Sequence, residues 1–206
     1  MIHFFLKKEF LVDYLKGLID IHNHILPGID DGAKMVDESI ELIKGFGEFG
    51  ISKFICTPHI MHNYNPNTPQ TIRDALLKLK KALKNKNVTQ ISILAAAEHM
   101  IDDNFEQLLL NDEIMPLGKH HLLIEMSFLQ PPINFKTALD KITSKGFFPI
   151  LAHPERYMFL NSSSKRLKVY KEKGALFQVN LLSVANYYGK DVKSKALKLL
   201  ENDFID

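Results

Sequence analysis

Six apolar, β-rich runs recur along the 206-residue chain, each parted from the next by a stretch of helical periodicity, and this alternation restricts the fold more than any other feature. The runs are Leu18 to His22, Lys53 to Thr57, Ile91 to Ala97, His121 to Met126, Phe147 to Ala152 and Ala175 to Asn180. Phe204 to Asp206 reads as the opening of one more. Successive runs lie roughly 25 to 35 residues apart, which leaves room for a crossover helix and far exceeds a hairpin turn. The sheet is therefore expected to be parallel, either doubly wound or closed as a barrel. The punctuation agrees: Thr68 is placed to cap a helix that has Pro69 at its first position, and Gly50, Gly146 and Gly174 are placed to end helices. No linker or repeat divides the chain. One α/β domain over residues 18–206 is expected, behind an amphipathic N-terminal extension over residues 1–17.

Composition removes several classes of function. A hydrophobic fraction of 46% suits a folded globular domain. Net charge is only +2, and lysines such as those in Leu76 to Lys86 follow a helix face without interleaved aromatics, so no nucleic-acid partner is expected. Cys56 is the single cysteine and cannot form an internal disulfide, which suits a reducing compartment. Lys7, Lys8, Glu9 and Asp13 interrupt the apolar start, and no run reaches the roughly 20 residues of a membrane span. A cytoplasmic protein is expected.

The chemistry gathers at the ends of the strands. His22 and His24 close the first run, His59 follows the second, Glu98 the third, Glu125 lies near the end of the fourth, and His153 follows the fifth. In a parallel α/β barrel that rim is where active sites form. Residues i and i+2 of a strand face one way, so His22 and His24 can grip one ion together. Carboxylates at the ends of apolar strands are costly unless a cation or donor meets them, which singles out Glu98 and Glu125. Asp31 can serve either as a helix cap or as a ligand. A donor set of nitrogen and oxygen without sulfur suits Mn²⁺, Fe or Zn²⁺. Its size exceeds one ion's needs, so a multinuclear centre that activates water and clamps a phosphoryl oxygen is expected. Arg156, three residues beyond His153, offers a planar fork for phosphate, with a salt bridge to Glu155 as the competing role. Tyr157 and His62 could shape the site from its edge. His3, His99, His120 and His121 are read as structural, His99 because it alternates away from Glu98.

In the order "DIHNHILPGIDDGA", "CTPH", "AAAEH", "LLIEMS" and "AHPERY", these segments resemble the PHP (polymerase and histidinol phosphatase) superfamily. More narrowly, they resemble its manganese-dependent bacterial tyrosine phosphatases of capsule and exopolysaccharide loci, the CpsB/CapC type. The resemblance implies a barrel-like (β/α)7 fold with up to three metal ions. His22, His24 and Glu98 would hold one ion, Glu98, Glu125 and His153 a second, and Asp31 and His59 a third, with Arg156 on the substrate phosphate. It also implies as partner the phosphotyrosine tail of an autophosphorylating bacterial tyrosine kinase; self-association stays open. Members of the family carry an Asp-x-His pair after the seventh strand. The sequence runs to "NDFID" without it, so the domain is expected to be incomplete at that end, its last strand cut short. A small-molecule phosphatase of the histidinol-phosphate kind and a catalytically silent binding module are the alternatives. A cysteine-based phosphatase is excluded, because His62 stands where a Cys-x5-Arg loop starting at Cys56 needs arginine.

Overall fold

The computed structural model describes residues 10–160 and 165–206. Its elements alternate as the sequence requires: β1 (Ile19–Asp20), α1 (Val36–Glu48), β2 (Lys53–Cys56), β3 (His59–Ile60), α2 (Pro69–Asn85), β4 (Ser92–Ala95), β5 (Glu98–Met100), α3 (Phe105–Leu110), β6 (His121–Glu125), α4 (Phe135–Ser144), β7 (Phe148–Ala152), α5 (Lys165–Glu172), β8 (Leu176–Gln178), α6 (Leu181–Val184) and α7 (Lys190–Glu201). Every pair of neighbouring strands is parallel, in two sheets ordered β1-β2-β4 and β3-β5-β6-β7-β8. Among the described residues strand pairing thus yields two sheets and not one closed ring.

The division into two sheets falls at the ends of two of the expected runs. Past the second, the chain crosses Thr57 and Pro58 and resumes pairing as β3; at the close of the third, it crosses Ala96 and Ala97 and resumes as β5, and neither β3 nor β5 was anticipated as a strand. Proline has no N–H to give a ladder. Single hydrogen bonds carry the chain across the gap, Ala96 N–H to the Cys56 carbonyl at 2.8 Å and Glu98 N–H to the Pro58 carbonyl at 3.0 Å. His59 and Glu98 therefore open the second segments, directly opposite one another in register.

Alternation along each strand divides the core. On β6, Leu122 and Ile124 pack with Leu139 and Ile142 of α4 and with Leu167 of α5, whereas Leu123 turns inward to Ile150, Ala96 and the edge of Ile21. On the other sheet, Phe54 and Ile93 pack with Ile40 and Ile43 of α1 and with Ile72 and Leu79 of α2. Strands buried on both faces read as continuous apolar runs, which is why periodicity alone left the sheet's form open. The lysines of α2 face solvent.

Thr68 caps α2, its hydroxyl accepting from the Thr71 N–H at 3.2 Å, and Gly50, Gly146 and Gly174 take left-handed backbones after α1, α4 and α5. Several expectations fail. Asp31 caps nothing, because α1 begins at Val36 behind Met35. Phe204 to Asp206 forms no strand, although the Asp206 N–H reaches the Phe177 carbonyl at 3.2 Å. Among the described residues of the N-terminal extension a single 3₁₀ turn, Leu11–Tyr14, is formed; residues 1–9, including His3, lie outside the described residues.

Candidate metal centre

The loop that carries the first two histidines is fastened to the neighbouring strand. The Asn23 N–H donates to the Thr57 hydroxyl at 3.1 Å and its side-chain amide to the Ile55 carbonyl at 3.3 Å, so His22 and His24 leave β1 on either side of a fixed point. The chain then loops back: Ala33 N–H bonds the His24 carbonyl at 3.1 Å, and Gly32 lies so close that a Cβ there would sit 2.0 Å from the His24 carbonyl oxygen. His153, after β7, holds a left-handed backbone at φ 36°. Such a conformation costs a histidine on the order of 1 kcal/mol and aims its ring inward.

Glu98 is the hub. Its Oε2 lies 3.2 Å from His22 Nε2, 3.6 Å from His24 Nε2 and 3.2 Å from His59 Nδ1, and its Oε1 lies 2.9 Å from His153 Nε2. Glu125 reaches His59 Nδ1 at 2.6 Å and His153 Nε2 at 4.0 Å. On the outer side Asp31 lies 3.5 Å from His59 Nε2 and 3.9 Å from His24 Nδ1. Ligand atoms fall into three groups, each within 4.8 Å: His22, His24 and Glu98; His24, Asp31 and His59; His59, Glu98 and Glu125. Six of the seven residues anticipated as ligands fall into these groups, and His153, outside them, stands beside them on Glu98. His59 does more than expected, touching both the outer aspartate and the inner pair of glutamates.

Burial disfavours charge on His22 and His59, but Glu98 and Glu125 beside them prevail and raise both to about 9. Glu98, wholly buried, would be pushed up by desolvation, yet the surrounding histidines hold it well below the usual carboxylate range. Glu125 is pushed up by burial and by the Glu98 charge. Protons and metal ions therefore compete for the same nitrogens. The donor set fits a cation on direct structural grounds. Glu98 Oε2, Glu125 Oε1, His59 Nδ1 and His153 Nδ1 are buried without a properly directed hydrogen bond. Such atoms are costly in a folded protein unless something else satisfies them.

Two residues behind the ligands escaped the sequence reading. Asp30 accepts from His24 Nδ1 at 2.7 Å while also bonding the Gly32 N–H, and Gln178 Oε1 pairs with His22 Nδ1 at 2.7 Å. Each fixes a ring so that Nε2 faces Glu98, a common device behind metal-bound histidines. A signal was present for both: Asp30 is the first acid of an Asp-Asp-Gly turn, and Gln178 is a polar break in an apolar strand.

Arg156 does not pair with Glu155, which turns into the interior to meet Ser183 and Asn180. Its guanidinium lies against Phe128, whose ring also abuts His153 at 5.5 Å. Tyr157 is fully buried and accepts the Met126 N–H. His62 stays outside the ligand groups, its N–H on Asp102. His99 points away from the centre, between the Leu123 carbonyl and the Met115 N–H. Cys56 is buried in the core, where burial pushes its thiol pKa up, so it offers no nucleophile.

Comparison with known proteins places the chain in a family. The family model described as capsular polysaccharide synthesis, CpsB/CapC, matches residues 18–206. The tyrosine-protein phosphatase YwqE of Bacillus subtilis is 33% identical over 189 residues, 91% of this chain and 74% of that protein. The tyrosine-protein phosphatase CpsB of Streptococcus agalactiae serotype V is 28% identical over 194 residues, 91% of this chain and 79% of that protein. A solved structure from work on YwqE of B. subtilis and CpsB of Streptococcus pneumoniae, described as unique metal-dependent tyrosine phosphatases, aligns with a TM-score of 0.83. The identity there is 34%, covering 91% of this chain and 76% of that one. The chain belongs to the CpsB/CapC family of capsular polysaccharide synthesis proteins.

Proposed function

We propose that this protein is a metal-dependent phosphatase of protein phosphotyrosine that acts in capsule or exopolysaccharide synthesis on the phosphorylated tail of a bacterial tyrosine kinase. The observation that carries the reading is Glu98: one fully buried carboxylate ringed by His22, His24, His59 and His153, with Glu125 beside it. Membership of a family whose relatives are named tyrosine-protein phosphatases supports it.

In this reading His22, His24 and Glu98 hold one ion, Glu98, Glu125 and His153 a second, and Asp31 and His59 a third, with Mn²⁺ the metal of choice. When bound, such ions supply an activated water and polarise a phosphoryl oxygen. The protein's own work is orientation. Asp30 and Gln178 hold the rings of His24 and His22, and Arg156 presents its fork to the phosphate. Phe128 and Met158, joined by a 2.9 Å backbone bond, give the rim beside Arg156 an exposed apolar surface suited to a tyrosyl ring on a peptide. The reading also includes a PHP-type barrel-like domain over residues 18–206 and a cytoplasmic setting. No helix among the described residues is long and apolar enough to cross a membrane.

Exhaustive EDTA treatment is expected to abolish hydrolysis of a phosphotyrosyl peptide, and Mn²⁺ to restore it. Turnover that survives chelation would defeat the mechanism. Faster turnover of histidinol phosphate than of the peptide would reassign the substrate to a small molecule.

A further inference from the structure

We infer that Tyr188 is a positioning residue for Arg156, an inference that rests on the proposed role of Arg156 in binding phosphate. The Arg156 guanidinium carbon lies 4.4 Å from the centroid of the Tyr188 ring and 4.5 Å from that of Phe128. Two aromatic faces of different origin therefore grip it. Phe128 comes from the segment after β6 and is itself wedged against His153 and Tyr157, at 5.5 and 5.8 Å between centroids. Tyr188 comes from the connection between α6 and α7, with Tyr187 packed edge-on against it at 5.0 Å.

An arginine next to a glutamate in sequence would ordinarily pair with it. Here Glu155 is removed from that role: its Oε1 accepts from the Ser183 hydroxyl at 2.6 Å and from the Asn180 N–H at 3.1 Å, in the fully buried space beneath the turn. The same two bonds pin the start of the segment that delivers Tyr188. Among the described residues the Arg156 guanidinium makes no salt bridge, and its backbone N–H bonds the His153 carbonyl at 2.9 Å. Aromatic faces attract a guanidinium through its flat sides and leave the N–H groups at its edge unconsumed. A carboxylate partner would do the opposite. Tyr188 and Phe128 thus fix the plane of the fork while keeping its donors for an anion, and Glu155 sets where Tyr188 stands.

The test compares Tyr188→Leu, Tyr188→Phe, Arg156→Ala and the double variant Arg156→Ala/Tyr188→Leu. Orthophosphate affinity is read by calorimetry on metal-free and Mn²⁺-loaded protein, together with KM and kcat for a phosphotyrosyl peptide and a melting curve for each variant. Tyr188→Leu is expected to raise the orthophosphate Kd and the KM roughly fivefold, with kcat within about twofold. Tyr188→Phe, which keeps the ring, should restore both values. In the Arg156→Ala background, Tyr188→Leu should change neither, because the residues act as one unit. Two results would overturn the inference while leaving the role of Arg156 intact: Kd and KM unmoved by Tyr188→Leu but raised by Arg156→Ala, or penalties that add fully in the double variant. Arg156→Ala without effect on Kd or KM would overturn the phosphate-binding role of Arg156 and the inference with it.

Discussion

Glu98→Gln is expected to strip the centre of metal and to lower turnover by on the order of 100-fold or more, since even residues behind a ligand are worth 10 to 100-fold. The exchange preserves shape and removes charge. It removes the negative charge shared by the one atom to which His22, His24 and His59 all point, at 3.2, 3.6 and 3.2 Å. Four histidines then face one another without the anion that gathered them. Metal-free protein should register the change as a pH-dependent loss of stability. His22 has a folded-state pKa of about 9, above its ordinary 6.5, so its contribution is fully present below about pH 6.5 and fades as pH rises through 9. The chelated variant should accordingly lose more melting temperature at pH 6 than at pH 9.5. His99→Gln provides the contrast. His99 is also buried, and burial holds its pKa down to about 4, so it serves as a neutral bridge between the Leu123 carbonyl and the Met115 N–H. Its loss should lower stability and leave metal content intact. Equal loss of metal from both variants would show that Glu98 is not the hub.

Gly32→Ala should be nearly as damaging, without touching any ligand. The added methyl would stand 2.0 Å from the His24 carbonyl oxygen and 2.4 Å from the His24 Cβ. Neither is the free end of a flexible side chain, so the loop itself must move. That loop carries Asp30, which holds the His24 ring, and Asp31, which faces His59. Overpacking of this kind costs about 1 to 3 kcal/mol, and the displaced histidine should lower metal content as well. Gly45→Ala and Gly47→Ala in α1 meet no atom within 4 Å, and there alanine should be neutral or mildly stabilising. Metal analysis and melting curves separate the two cases, and an unaltered Gly32→Ala protein would contradict the close approach.

These residues also show what could be read from the chain and what could not. The helix caps and stops were legible because Thr68, Pro69 and Gly50 act through local backbone geometry. The candidate ligands were legible as a cluster because a carboxylate or histidine at the end of an apolar strand is expensive to bury unless a cation or a hydrogen-bond donor meets it. The resumption of pairing as β3 and β5 beyond two of the runs was not, since it depends on which neighbour each short segment meets, a long-range matter. Asp31 was ambiguous for the same reason: an aspartate ahead of a helix resembles a cap until the helix start, at Val36, is known. Gln178 acts through the His22 ring, which comes from the far end of the chain, and Asp30 acts through the His24 ring only because the loop between them folds back. The contact of Arg156 with two aromatic rings brings in Phe128 and Tyr188 from segments far from it along the chain, and no local pattern announces it.

Whether several cations share Glu98 is tested most directly by crystals grown with Mn²⁺ and measured at the manganese absorption edge. At least two anomalous peaks are expected within bonding distance of Glu98, one also bonded to His22 and His24 and another to Glu125. Peaks confined to the surface, or a single ion that does not touch Glu98, would refute a shared carboxylate at the heart of the site.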